Sequence, residues 1–242
     1  MRTLKAFFTN YKKKCGEESL LNSLSDMAAI LGIDEKARGL NSAELQDLVL
    51  MEFHSASNHT FINMLATDDE RRSFSYLTTL YRLADNLGIK FSRNDKDTPA
   101  KVEKKIIQFQ FEELWKKMDD KQKKDYINNL KKSAQIPENV LGSLLTAAPG
   151  AAALLLLGAG GLGPYIAATT ALSAVSSAIG LTLSFGVYTG ITRGISMLIG
   201  PVGWAITGAL FAFQAGKPNY NKKILPVVLL ISKMRSELNI KS

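Results

Sequence analysis

Cysteine and histidine are nearly missing from this chain of 242 residues: Cys15 is the single cysteine, and His54 and His59 are the two histidines. A lone cysteine excludes an internal disulfide framework, and so few cysteines and histidines offer none of the spacings of a zinc site. Ser184, Ser196 and Cys15 have no base close by in the sequence that would activate them. We therefore expect a non-enzymatic protein with no cofactor, no metal and no small-molecule substrate.

Charge is missing from one long part of the chain. The sequence holds 30 basic and 22 acidic residues, yet Arg193 is the one charged residue between Leu141 and Gly216, where 14 of the 18 glycines also lie. This change in composition predicts three regions. They are a soluble helical domain over 1–136, a hydrophobic glycine-rich helical region over 137–216, and a basic C-terminal helix or tail over 217–242.

The N-terminal region carries the apolar spacing of amphipathic helices, at every third and fourth residue. One such stripe ends at Gly32 and another at Gly88, and each glycine fits the left-handed residue that closes a helix. A helix-start signal follows each glycine: Asn41 and Glu44 form a capping-box pattern, and a Thr-Pro pair stands at 98–99. These signals predict two helices in each unit, joined by a short turn.

The two helix-turn-helix units, 20–53 and 74–118, echo each other. Both contain the tripeptide Leu-Gly-Ile at the end of the first helix, at 31–33 and 87–89. An ancient duplication would produce this echo, and so would the small number of ways to end one helix and begin the next. Alternation with period two is not evident, so we predict an all-α fold: an amphipathic helical bundle followed by a glycine-rich hydrophobic helical region.

A lysine-rich segment, 121–132, follows the second unit. Lysines bind phosphates without sequence preference, so this segment raises the question of a nucleic-acid partner. Acidic residues are interspersed with the lysines here and in the preceding helix. Mixed charge is typical of a solvated helix face, so we do not expect nucleic-acid binding.

The uncharged region contains three apolar runs, near 141–163, 165–192 and 194–216. Each reaches the roughly 20 residues that a helix needs to cross a bilayer. Small residues recur at every fourth position of the middle run, which lets helices approach closely in lipid and predicts a packing or oligomerisation stripe. The stripe consists of Thr170, Ala174, Ala178, Thr182, Gly186, Gly190 and Gly194.

Other features of the same region favour a buried core in a soluble protein. Glycines at 158–163 weaken a lipid-facing helix by about 1 kcal/mol each relative to alanine. Arg193 would cost about 2.5–3.5 kcal/mol at a bilayer centre. A third alternative is a hydrophobic hairpin that is sheltered in one state and inserted in another, and the sequence leaves all three open.

The C-terminal region is strongly basic, with Glu237 as its one acid. In a membrane protein this excess would hold the C-terminus on the cytoplasmic side and attract anionic lipid. A solvated basic helix is the alternative. The residues assigned to lipid contact are Lys217, Lys222, Lys223, Lys233 and Arg235.

Segment 113–119, Glu-Leu-Trp-Lys-Lys-Met-Asp, together with 87–89 and 98–99, resembles the YaaW-type bacterial family of uncharacterised proteins. The Gly-Pro-Val-Gly segment at 200–203 and the apolar segment at 224–228 are similar to the C-terminal pattern of that family, so the resemblance covers about 70–242. The family is distantly similar to ubiquinol–cytochrome c reductase assembly chaperones. This resemblance implies a helical domain that binds other proteins and carries no catalytic residues. We expect Leu114, Trp115 and Met118 to pack that domain.

The main functional prediction is a membrane-associated or membrane-inserting helical protein that oligomerises or forms pores. Its N-terminal bundle would bind a partner or regulate the hydrophobic half, and the expected partners are anionic lipid and a protein or a second copy. It would lie at the bacterial cytoplasmic membrane with both termini on the cytoplasmic side. The alternative is a soluble, cytoplasmic assembly chaperone or protein-interaction module whose glycine-rich half is its own core.

Overall fold

The computed structural model describes residues 3–57, 75–90, 92–94, 96–133, 138–158 and 220–240. All regular elements in these ranges are helical, which confirms the predicted all-α fold. The helices are α1 (Leu4–Cys15), α2 (Glu17–Leu31), α3 (Asp34–Ala37), α4 (Ser42–Ser57), α5 (Tyr76–Asn86), α6 (Pro99–Lys117), α7 (Asp120–Ser133), α8 (Glu138–Thr146), α9 (Pro149–Gly158), a π-helical turn (Tyr220–Ile224) and α10 (Leu225–Ile240).

The helix starts follow the capping signals in the sequence. Before α4, the side chain of Asn41 accepts the amide of Glu44 at 3.1 Å, and the Glu44 carboxylate accepts the amide of Asn41 at 3.0 Å. Before α6, the Thr98 hydroxyl accepts the amide of Lys101 at 3.4 Å, and Pro99 occupies the first helical position. These bonds satisfy amides that have no partner within the helix.

The two glycine-terminated helices end in the same geometry. Gly32 has a φ of +76° and Gly88 a φ of +74°. After each glycine the next amide bonds back over a full turn, from Ile33 to the Ala28 carbonyl and from Ile89 to that of residue 84, at 2.9 Å in both cases. The echo between the two units therefore extends from sequence to backbone hydrogen bonding.

The core is built around α10. This helix packs against α1, α2 and α6, while α2 packs on α4 and α5 on α6. The five consecutive apolar residues 227–231 of α10 are each at most 1% exposed. The last helix is thus a central element of the bundle rather than an appended tail. α9 also packs on α6, and it contacts α8.

The helices of the described ranges include none that is both long enough and apolar enough to cross a membrane. The wholly uncharged helix α9 has 10 residues, which span about 15 Å of a hydrocarbon core about 30 Å thick. The longest helix, α6, has 19 residues, but five of them are lysines. This finding contradicts the main prediction of a membrane-inserting protein, and it gives no support to the predicted hydrophobic hairpin or to a membrane role for the stripe of small residues.

Candidate interaction surface

Arg235 of α10 forms a two-pronged ion pair with Glu103 of α6. Its Nε and Nη2 donate to the two carboxylate oxygens at 2.7 and 2.9 Å, and its guanidinium lies 4.7 Å from the ring centre of Phe7. The Glu103 side chain is 2% exposed and that of Arg235 is 22% exposed. Burial lowers the pKa of Arg235, but the hydrogen bonds and charge of Glu103 outweigh it and raise that pKa overall. The arginine therefore keeps its charge inside the bundle.

A second buried ion pair joins the residues two positions before and two positions after Arg235. Lys233 and Glu237 are 3.2 Å apart and almost completely buried, and the Tyr11 hydroxyl of α1 donates to the same carboxylate. Burial raises the pKa of the Tyr11 phenol well above its ordinary value, and the negative charge of Glu237 raises it further. The phenol therefore stays protonated and acts as a hydrogen-bond donor.

The contacts of Arg235 with Glu103 and of Glu237 with Tyr11 connect α10 to α6 and α1. Each charge faces a partner of opposite sign inside the protein, and the carboxylate of Glu237 has two donors. In the described ranges, no group of three histidine, cysteine or acidic side chains could hold a metal ion. The arrangement favours one packing of these helices.

The outward side of α9 is the exposed apolar feature of the bundle. Ala152, Ala153, Leu156 and Leu157 are buried against the protein, whereas Leu154 on the opposite side is 56% exposed. Ala151 and Gly158, at three and four positions from Leu154, are also exposed. We define Ala151, Leu154, Leu155 and Gly158 as the outer α9 face, in which Leu155 is half-buried.

The opposite side of α9 packs against α6, which holds the outer α9 face in place. α9 packs along α6, and Gly150 at its start approaches the Glu112 carboxylate, which would lie 3.5 Å from an added Cβ. Gln108 donates to that carboxylate at 2.8 Å. A helix that is apolar all round is normally buried on every side. The exposure of Leu154 therefore identifies this face as a candidate surface for contact with another apolar element.

The structure places the residues predicted to pack the second unit inside the core. Leu114 is 3%, Trp115 1% and Met118 5% exposed. The Trp115 ring stacks on Phe111 with 5.7 Å between centroids and meets Tyr126 of α7 edge-on. These aromatic contacts join α6 to α7.

The residues predicted to contact lipid have different surroundings. Lys222 is exposed, but Lys223 donates to the Leu31 carbonyl at the end of α2 at 2.5 Å. Lys233 and Arg235 point into the bundle and pair with Glu237 and Glu103, so we revise their assignment from lipid contact to core contact. Several predicted residues lie outside the described residues: Thr170, Ala174, Ala178, Thr182, Gly186, Gly190, Gly194 and Lys217.

Sequence reasoning missed Glu103, Tyr11 and Leu154. A signal for Glu103 was present, because it occupies the same helical stripe as the apolar residues Ile106, Ile107 and Phe111. An acid in that stripe indicates a buried partner of opposite charge. No such signal marks Leu154, because every residue from 151 to 157 is apolar and the sequence does not distinguish one side of the helix from the other.

Comparison with known proteins identifies a relative in Helicobacter pylori strain J99, described as a UPF0174 protein. It is 26% identical over 204 residues, which cover 84% of this chain and 76% of the relative. No protein-family model matches the chain, and no solved structure matches it. The relative agrees with the expected similarity to uncharacterised bacterial proteins, but it carries neither the YaaW-type assignment nor the similarity to assembly chaperones.

Proposed function

We propose that this protein is a non-enzymatic helical interaction module that holds an apolar helix of a client protein against its outer α9 face. The observation that supports the proposal is the 56% exposure of Leu154 on a helix with no charged side chain. When a partner covers an exposed apolar side chain, the removal of that surface from water favours binding. The function is that of an assembly chaperone or adaptor rather than of an enzyme.

The chemistry of the face selects the partner. No side chain of the outer α9 face donates or accepts a hydrogen bond, so a polar partner would lose its contacts with water without replacement. Ala151 and Gly158 are small and lie on either side of Leu154 along the helix. Small residues beside a projecting leucine let a second helix approach closely, which is the geometry of helix-in-groove recognition.

The resemblance of segment 113–119 to YaaW-type proteins, distantly similar to assembly chaperones, agrees with this proposal. Residues 113–117 of that segment lie in α6, the helix on which α9 packs. α6 thus connects the part of the chain that carries the resemblance with the face that we assign to the client.

A photo-crosslinking residue at position 154 tests the proposal directly. Full-length protein carrying p-benzoylphenylalanine at 154 is irradiated in bacterial cells that contain the native client, and the adducts are separated by mass. The matched control carries the same residue at Ser143, which is also exposed but lies on α8. We expect an adduct with a different polypeptide from position 154, crosslinked through an apolar helix, and a much weaker one from position 143.

Three results would contradict the proposal. They are a crosslink within the same chain, a crosslink to a second copy, and equal adducts from both positions. With the client purified, Leu154→Lys should weaken binding by about tenfold or more, because a buried leucine contributes about 1.5–3 kcal/mol. Ser143→Lys adds the same charge outside the face and should leave the affinity unchanged.

A further inference from the structure

The apolar residues of α10 do not by themselves fix how this helix sits in the bundle. Residues 227–231 are all apolar, and all are at most 1% exposed, so the helix is buried on every side at this level. Burial depends on the area removed from water and is not directional. A rotation of α10, or a shift along its axis, would keep much of that area buried.

The charged residues of α10, in contrast, would lose their contacts with other helices if α10 rotated or shifted along its axis. Arg235 meets Glu103 through two parallel hydrogen bonds, a geometry that the planar guanidinium satisfies in one orientation. Glu237 faces the Tyr11 hydroxyl from α1, and Lys233 sits one turn before it. A shift by one turn, about 5.4 Å, would separate Arg235 from Glu103 and Glu237 from Tyr11, and would leave the buried Glu103 carboxylate without the guanidinium.

The net stability gained from such pairs is small. Removing two charges from water costs about as much as their attraction returns, and replacing a buried pair by apolar groups of similar size is often neutral. Removal of one member alone is costly, because it leaves the other charge buried. The buried pair therefore acts on the choice among packings more than on the total free energy of unfolding.

We propose that the Arg235–Glu103 pair is a register lock, which selects one rotation and one axial position of α10 within the bundle. This role does not depend on the proposed client, because it concerns the contact of α10 with α6 and involves no residue of the outer α9 face. A buried polar contact that fixes the register of apolar helices is an established device in helical assemblies.

Methionine methyl groups report on the lock in the full-length protein. The chain has 7 methionines, and Met234 of α10 is 0% exposed one residue from Arg235. With ¹³C-methyl methionine, the Met234 signal is assigned by its loss in Met234→Leu. We expect one sharp Met234 signal in the wild-type protein. In the double variant Glu103→Gln with Arg235→Leu, which adds no methionine, we expect two or more Met234 signals, or one that is broadened by exchange between registers, with secondary structure retained.

A reversed pair, Glu103→Arg with Arg235→Glu, should restore a single Met234 signal. The matched control neutralises an exposed ion pair, Lys5 and Asp47, whose atoms are 3.5 Å apart, by Lys5→Leu with Asp47→Asn. It should keep the single signal. One sharp signal in the neutral double variant would overturn the lock, as would a reversed pair as heterogeneous as the neutral one. Loss of folding in the neutral variant would also overturn it, because the pair would then be required for stability itself.

Discussion

At the residue scale, one carboxylate organises the connection between α5 and α6. Asp97 accepts hydrogen bonds from Lys101 Nζ at 2.7 Å, from the Tyr81 hydroxyl at 2.9 Å and from the amide of Asn94 at 3.0 Å. Lys101 is the main cause that lowers the pKa of Asp97 below its ordinary value, with a further contribution from Tyr81. All three donors favour the charged carboxylate, so the folded state binds a proton less readily than the unfolded chain.

The lowered pKa of Asp97 predicts a loss of stability in acid. Its contribution is complete above the ordinary aspartate pKa of about 4 and is lost as the pH falls through the lower folded value. Asp97→Asn should therefore lower the urea midpoint at pH 6, and the difference from wild type should shrink toward pH 2. Urea unfolding of both proteins across this range is the measurement. A difference that stays constant down to pH 2 would assign the effect to something other than the charge of Asp97.

Two leucines of α9 provide a matched comparison of the inner and outer sides. Leu156 is 0% exposed and Leu154 is 56% exposed. Leu156→Ala should lower the free energy of unfolding by about 2–5 kcal/mol, because it opens a cavity in the core. Leu154→Ala should change it by less than about 0.5 kcal/mol. Denaturant unfolding measures both, and a large loss at Leu154 would mean that the side chain is held within the fold and is not available to a client.

At the element scale, the ends of α2 and α5 depend on glycine for a backbone reason. An added Cβ at Gly88 would meet no atom within 4 Å, and at Gly32 it would meet the Lys223 ammonium at 3.9 Å. Space is therefore available at both sites. The restriction comes from the positive φ, which costs an L-residue about 1–2 kcal/mol.

Three glycine-to-alanine substitutions separate this effect from the general helix preference. Gly32→Ala and Gly88→Ala should each destabilise the protein by about 1–2 kcal/mol. Gly142 lies within α8, where an added Cβ would meet nothing within 4 Å, so Gly142→Ala should stabilise by about 0.5–1 kcal/mol. Thermal unfolding of the three variants gives the comparison. The same sign of change in all three would contradict the role assigned to φ.

The helices were predictable where the signals are local. The capping box of Asn41 and the closing glycines at 32 and 88 need only residues within one turn, so the sequence alone indicates them. The placement of α10 needed more. Arg235 has its acid 132 positions earlier in the chain, and no local pattern shows that pairing. A basic helix with a distant buried partner resembles a basic surface helix, which explains why the lipid-contact prediction for Lys233 and Arg235 was wrong.

The candidate surface was less predictable than the fold. The outer α9 face exists because α9 places one side on α6, and that choice depends on the packed structure. The apolar run by itself favoured a membrane or a core, since both environments accept leucine and alanine equally well. The exposure of Leu154 depends on how the helices pack, so it cannot be predicted from the local sequence alone.

At the scale of the whole molecule, α10 is the element that makes folding cooperative. It contacts α1, α2 and α6, so that its removal would open the core of both helical units. A chain in which one central helix closes the core should unfold in a single step. The amides of α10 should therefore exchange with solvent only by global unfolding, as those of α2 and α6 do.

Hydrogen exchange under native conditions tests this cooperativity with two variants of α10. Leu229 is 0% exposed, so Leu229→Ala should lower the unfolding free energy by about 2–5 kcal/mol and reduce the protection of α2, α6 and α10 by the same factor. Asn239 is exposed near the end of the helix, and Asn239→Ala should leave all three unchanged. If Leu229→Ala accelerated exchange in α10 alone, this helix would open separately from the bundle. The first and last parts of the chain would then form two folding units, because the contacts of α10 with α2 and α6 would break without unfolding either helix.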